Sequence, residues 1–139
     1  MADIDLFKNI NDELGHAVGD AVIIDMANVL SESSRVNDCV GRYGGEEFCM
    51  VLVATNVDDA RKVSERARIA FENLSQESDS ATSGRKVTSS FGVSSVKFGA
   101  ADIAELLNQA DIALYESKHN GRNQVTSWAD VGAKEQEAT

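Results

Sequence analysis

Two pairs of carboxylates carry the first chemical signal in the chain. Asp3 and Asp5 flank Ile4, and Glu46-Glu47 follows directly on Gly44-Gly45. Paired carboxylates suit a hard divalent cation: magnesium demands oxygen ligands, takes one or two protein carboxylates and keeps its other positions for phosphate oxygens and water. Side-chain alternation is expected to set Asp3 and Asp5 on opposite sides of a strand's end. The two glycines let backbone approach a ligand closely, because no Cβ intrudes. Each pair also has a plainer reading, as a solvated loop or a solubilising hairpin tip, and spacing alone does not bring the pairs to one place. An EF-hand is excluded, since Phe7 and Lys8 stand where that loop needs Asp or Asn and then Gly.

Cations suited to phosphate are few. Lys118 and Arg122 lie four apart around the end of a helix, and Lys8 follows the first acidic pair. Lys brings a point charge and Arg a bidentate fork, which together could clamp a polyphosphate; Lys118 and Arg122 could equally complement the helix dipole. Asn11 and Asp20 could read a guanine edge, the amide bonding O6 or N3 and the carboxylate accepting from N1 and the 2-amino group. Asp20 could instead serve the first turn of its own helix. Arg35 and Asp38 are spaced for a local ion pair of well under about 1 kcal/mol. His16 and His119 lack a partner at metal-ligand spacing. No GxxxxGK or GxGxxG run occurs, which disfavours P-loop and Rossmann folds, and no nucleophilic Ser or Cys motif is present.

The elements that must position these groups follow from periodicity. Residues 18–34 carry apolar side chains at Val18, Val22, Met26 and Val29 or Leu30, a helical stripe with Asp20, Asp25, Asn28 and Glu32 off it. Residues 39–43 and 48–53 flank Gly44-Gly45, whose freedom to adopt positive φ suits a tight hairpin. In that register Val40 faces Cys49. The second strand is apolar on both faces and belongs inside a sheet. Thr55, with Asp58 three residues on, marks a helix start, and Ala60, Val63, Ala67, Ala70 or Phe71, and Leu74 give its stripe. Residues 75–86 are polar and read as a surface loop. Residues 87–98 predict a strand. Ile103, Leu106, Leu107, Ala110, Ala113 and Leu114 define a further helix stopped at Asn120-Gly121, and residues 125–128 a short strand. Residues 1–3 read as the end of a strand, with Met1-Ala2 too short to pair. The order becomes βαββαβ with an extra helix and strand if a first strand precedes Asp3: an α/β (α+β), palm-like, ferredoxin-like split sheet with helices on one face.

Composition bounds the rest. At 139 residues and 42% apolar content the chain is one domain with a real core. Thirteen Lys and Arg against twenty-three Asp and Glu leave a net charge of −10, which argues against binding duplex DNA or an anionic membrane surface. No run approaches a membrane span, and the first residues lack the features of a signal peptide, so a soluble, cytoplasmic protein is expected. Cys39 and Cys49 form neither a CxxC pair nor a disulfide framework and are expected to be buried apolar residues in a reducing compartment.

Taken together, the run Asp3-Ile4-Asp5-Leu6-Phe7-Lys8-Asn9-Ile10-Asn11-Asp12, then Gly15-His16 with Gly19-Asp20, Arg35 with Asp38, Arg42-Tyr43-Gly44-Gly45-Glu46-Glu47-Phe48, Ser90-Phe91-Gly92-Val93, and Ala110-Asp111-Ile112-Ala113-Leu114-Tyr115 with Lys118 and Gly121-Arg122-Asn123 resemble the GGDEF family of diguanylate cyclases, in its GGEEF variant. The match covers residues 1 to about 127, with six motifs in family order. The resemblance implies that two GTP condense to cyclic di-GMP with release of two pyrophosphates, each 3′-hydroxyl attacking the α-phosphate of the opposite GTP across a homodimer. It implies Mg²⁺ or Mn²⁺ held by Asp3, the Ile4 carbonyl and Glu46, with Asp3, Glu46 and Glu47 catalytic. Asn11 and Asp20 would recognise guanine, Phe7 would line the substrate site, and Lys8, Lys118 and Arg122 would hold the β- and γ-phosphates. Arg35 and Asp38 look like the family's RxxD inhibitory site for the product cyclic di-GMP. The rival reading is a catalytically inactive cyclic di-GMP receptor that binds through that site. Residues 1–128 would form the domain, short of the family's usual N-terminal helix and most of its first strand; such a gap would expose a sheet edge or invite strand exchange between chains. Residues 129–139 would be a disordered tail.

Overall fold

The computed structural model describes residues 1–132. Five strands, β1 (Ala2–Ile4), β2 (Cys39–Gly44), β3 (Glu47–Val51), β4 (Ser89–Val93) and β5 (Val125–Ser127), alternate with four α-helices, α1 (Phe7–Leu14), α2 (His16–Ser33), α3 (Val57–Ser75) and α4 (Ile103–His119). They form one sheet in the order β2-β3-β1-β4-β5. β1 runs antiparallel to both β3 and β4, and β5 lies parallel to β4. The first four strands in that order reproduce the expected split βαββαβ sheet, and β5 widens it by one.

β1 is the central strand and not a frayed end. Ala2 pairs with Phe48 on one side and Phe91 on the other, and the Met1 ammonium donates to the Gly92 carbonyl at 2.9 Å. Both neighbours supply backbone partners, so three residues suffice where a free strand of that length would not hold. Beyond the Ala2–Phe48 pair, Cys49, Met50 and Val51 of β3 pair with β2 alone. A hollow of about 610 Å³ lies there, bordered by Met1, Cys49, Met50, Val93, Leu107 and Ala110.

Helices cover both faces, contrary to the one-sided arrangement expected. Alternation sends Ala2, Ile4, Phe48 and Phe91 to one side, where they meet Ile10 of α1, Met26 and Leu30 of α2, and Ala67 and Phe71 of α3 in the main core. The opposite side carries a smaller cluster of Met1, Ala110 and Leu114 with Cys49 and Leu107. α4 approaches that side closely enough that a Cβ on Gly92 would come within 2.0 Å of the Ala110 carbonyl oxygen. Only glycine fits there.

Several local expectations shift. Residues 7–14 form a separate helix, entered through Leu6 at φ 53° and ended at Gly15. The hairpin turn is Gly45-Glu46, and a bulge between Arg42 and Gly44 adds a residue to β2, so Gly41, not Val40, faces Cys49. Cys39 is exposed and Cys49 half-buried: the first heads an edge strand, and the second meets the thinner of the two cores. Asn56, not Thr55, caps α3, its side chain accepting from the Asp59 N–H at 2.8 Å. β4 is shorter than read and passes into a 3-10 turn at Val96–Phe98. The loop of residues 76–86 is anchored inward by the buried Thr82, whose hydroxyl reaches the carbonyls of Ser75 and Arg85. Of the expected tail, Trp128–Asp130 forms a 3-10 turn with Asp130 paired to Arg61 at 2.8 Å; residues 133–139 lie outside the described residues.

Candidate active site

β1 delivers Asp3 to the centre of the sheet's α4 side, with Glu47 of β3 opposite on one flank and Ser90 of β4 on the other. The side chain is almost wholly buried, and the Lys118 ammonium of α4 donates to it. Burial raises the Asp3 carboxyl from its ordinary 3.8 to about 6; Lys118 works against that rise, and the charges of Glu46 and Glu47 add to it. Both glutamates are half-buried. The Ile4 N–H donates to the Glu46 carbonyl at 3.3 Å and ties the hairpin tip to β1, while Arg42 Nε donates to the Gly45 carbonyl at 2.7 Å and braces the tip from within the hairpin. Asp3, Glu46, Glu47 and Lys118, drawn from three distant stretches of sequence, thus share one neighbourhood.

Among the described residues no three acidic, His or Cys side chains are already gathered as a metal cage. The donor chemistry nonetheless fits a hard cation. A buried carboxyl crowded by two further negative charges is relieved by a divalent ion, and such a set leaves positions for phosphate oxygens. Asp5 behaves differently. It shares the α4 side with Asp3, two residues along, instead of facing away. One of its oxygens accepts from Ser90 Oγ at 2.6 Å and the other from Thr88 Oγ1 at 2.8 Å and the Asn123 N–H at 3.0 Å. Three donors engage both of its oxygens, so the first reading of Asp5 as a cation ligand gives way to a structural one.

The α1–α2 corner brings Asn11 and Phe7 of α1 against Gly19 of α2. Gly19 is buried, and a Cβ there would fall 1.8 Å from Asn11 Oδ1 and 3.3 Å from the Phe7 ring. The missing side chain therefore makes room for the Asn11 amide, and the exposed Asp20 follows Gly19 in the chain. Lys8, in the first turn of α1, and Arg122, in the turn after α4, are exposed and make no ion pair among the described residues. Arg35 and Asp38 sit apart from this centre, on the link from α2 to β2. Asp38 forms no side-chain ion pair with Arg35; it accepts the N–H groups of Arg35 at 2.8 Å and Val53 at 2.9 Å. Those two bonds, with the Arg35 charge, hold its carboxyl below the usual range. None of the candidate catalytic, metal-binding, substrate-binding or product-binding residues borders the 610 Å³ hollow. Sequence reasoning missed Arg42 as the brace of the hairpin tip and missed the bonds joining Asp5 to Asn123; the string Gly121-Arg122-Asn123 was the available signal for the second.

Residues 1–124 match the family described as diguanylate cyclase, GGDEF domain. Diguanylate cyclase A of Treponema denticola is 47% identical over 128 residues, which span 91% of this chain and 33% of that protein. The chain therefore corresponds to about a third of that relative's length. Among solved structures, the active GGEEF domain of a diguanylate cyclase from Vibrio cholerae superposes with a TM-score of 0.83 at 37% identity, covering 91% of this chain and 79% of the other. The GGDEF domain of DgcB from Caulobacter crescentus, in complex with c-di-GMP, gives 0.82 at 30% identity, covering 92% and 75%. The chain belongs to the GGDEF family, the diguanylate cyclases.

Proposed function

We propose that this domain condenses two GTP molecules into cyclic di-GMP, with two domains facing each other and each supplying one GTP. The observation that carries the reading is the buried Asp3 carboxyl set against Glu46, Glu47 and Lys118. In each half-reaction a ribose 3′-oxygen forms a bond to the α-phosphorus of the facing GTP, the bond from that phosphorus to the bridging oxygen breaks, and pyrophosphate leaves. Glu47 helps with the metal or takes the hydroxyl proton. Asp3, Glu46 and the Ile4 carbonyl would hold magnesium or manganese, which when bound supplies charge neutralisation of the triphosphate and a lowered hydroxyl pKa. Asn11 and Asp20 read the guanine, with Phe7 against the base side of the corner. Lys8, Lys118 and Arg122 hold the β- and γ-phosphates by charge-assisted bonds.

Arg35 and Asp38 form a separate site for the product. The Arg35 guanidinium makes no hydrogen bond or ion pair among the described residues, while Asp38 is fixed by two backbone donors, a geometry suited to gripping a guanine edge or phosphate. Incubation with GTP and Mg²⁺, followed by chromatography, tests the reading: cyclic di-GMP and pyrophosphate in a one-to-two ratio are expected. A folded, concentrated sample that yields neither, yet binds added cyclic di-GMP in an Arg35-dependent way, would make the domain a receptor.

A further inference from the structure

The turn that carries Arg122 is held more firmly than its position on the surface requires. Gly121, Arg122 and Asn123 follow one another at φ 112°, 63° and 48°, a region that Gly and Asn tolerate but that Arg122 avoids unless the surroundings impose it. Three elements impose it. From α4, the Ser117 carbonyl accepts the Arg122 N–H at 2.9 Å. From the end of β1, Asp5 accepts the Asn123 N–H at 3.0 Å, and Ser90 Oγ of β4 lies 3.1 Å from the same donor. From α3, Arg68 donates to Asn123 Oδ1 at 2.7 Å, and Asn123 Nδ2 donates to Glu72 at 3.1 Å. Asp5 is itself buried at 7% exposure and satisfied by Ser90 and Thr88, so the anchor is a fixed one.

The turn borders a hollow of about 410 Å³ shared with Leu6 and Ile10 and with two more cations, Arg85 and Lys86. Arg85 is paired with Glu13 and Lys86 with Glu72. Arg122 alone of the three has no acidic partner among the described residues and keeps its guanidinium for a ligand. We propose that Asp5 and Asn123 are positioning residues: by locking this left-handed turn to β1 and α3 they aim Arg122 at the terminal phosphates of a bound guanine nucleotide. The proposal rests on the nucleotide reading above. It makes Asp5, two residues beyond Asp3, the link that ties the strand carrying the buried carboxylate to the turn carrying the phosphate cation.

Binding of GTP and of GMP to the full 139-residue chain separates the possibilities. The variants are Asn123→Gly, Arg122→Ala and their double. Asn123→Gly tolerates the left-handed backbone but deletes the side-chain ties to Arg68 and Glu72, and Thr88→Val, which strips one donor from Asp5, provides a second route. Asn123→Gly is expected to weaken GTP about tenfold, the scale of one misplaced charge-assisted contact, to leave GMP unchanged, and to add nothing in the Arg122→Ala background. Equal weakening of GTP and GMP, no change in either, or additive losses in the double variant would overturn the positioning role while leaving GTP binding in place. A wild-type chain that binds GTP no more tightly than GMP and ignores Arg122→Ala would overturn the phosphate-site reading as well.

Discussion

Asp3 is where single-residue chemistry is most exposed to test. Its carboxyl stands near 6 in the folded chain against an ordinary 3.8, so between these values the folded state binds a proton that the unfolded state has lost. Stability contributed by that proton is present below about pH 4 and falls away as pH rises through about 6, by on the order of 3 kcal/mol if the whole shift is expressed. Denaturant titrations without divalent cation should show Asp3→Asn gaining on the wild type steadily across this window; a difference between the two that is flat with pH would contradict the cause assigned. Asp20 makes a separate prediction. Asp20→Ala should reduce the preference for GTP over ATP at least tenfold, because a carboxylate accepting two guanine donors has no counterpart on adenine. An unchanged ratio in a competition assay removes Asp20 from base recognition. Asp3, Glu46, Glu47 and Lys118, which the structure brings together, stood out in the sequence because their types and order are distinctive. The role of Asp5 did not: its spacing looks like that of Asp3, and only the fold reveals three donors around it.

Among the elements, the long helices and the hairpin were readable from periodicity, since Val22, Met26 and Leu30 do share one buried face and strong patterns survive packing. α1 escaped because its eight residues offer only Phe7, Ile10 and Leu14 as apolar markers, too few for a stripe. The hairpin register escaped because a bulge at Arg42/Gly44 cancels the one-residue shift of the turn only in part, and bulges leave no reliable mark in composition. The contact of α4 with β4 is the element-scale feature most open to challenge. Gly92→Ala drives a methyl group into the backbone of α4 and should destabilise the domain by about 3 kcal/mol, the upper range of overpacking. A loss below about 1 kcal/mol in urea unfolding would mean that the helix sits farther from the strand than described. Because Lys118 rides on α4, the same change should also weaken GTP binding.

On the proposed reading the chemistry lies along one edge of the palm: β1 supplies a buried acid, the hairpin two more, and α4 with the turn after it the cations Lys118 and Arg122. The split sheet makes this convergence necessary, since β1 lies between β3 and β4 and its C-terminal end must meet both the hairpin tip and the turns after α4. The strand order was foreseeable from the sequence of elements. The face covered by each helix was not, because α3 and α4 both present apolar stripes and nothing in their periodicity names a side. If two such edges must meet for reaction, initial rates per domain should rise with protein concentration and then level off; rates strictly proportional to concentration over a hundredfold dilution would argue for a complete site in one chain. The convergence itself can be measured with Mn²⁺, whose paramagnetism broadens the amide signals of nearby residues in an NMR titration with GTP present. The account predicts that Asp3, Ile4, Glu46 and Glu47 broaden together at the lowest Mn²⁺ additions and that Asp3→Asn abolishes the effect. Broadening that spares either β1 or the hairpin, or that persists undiminished in Asp3→Asn, would contradict it.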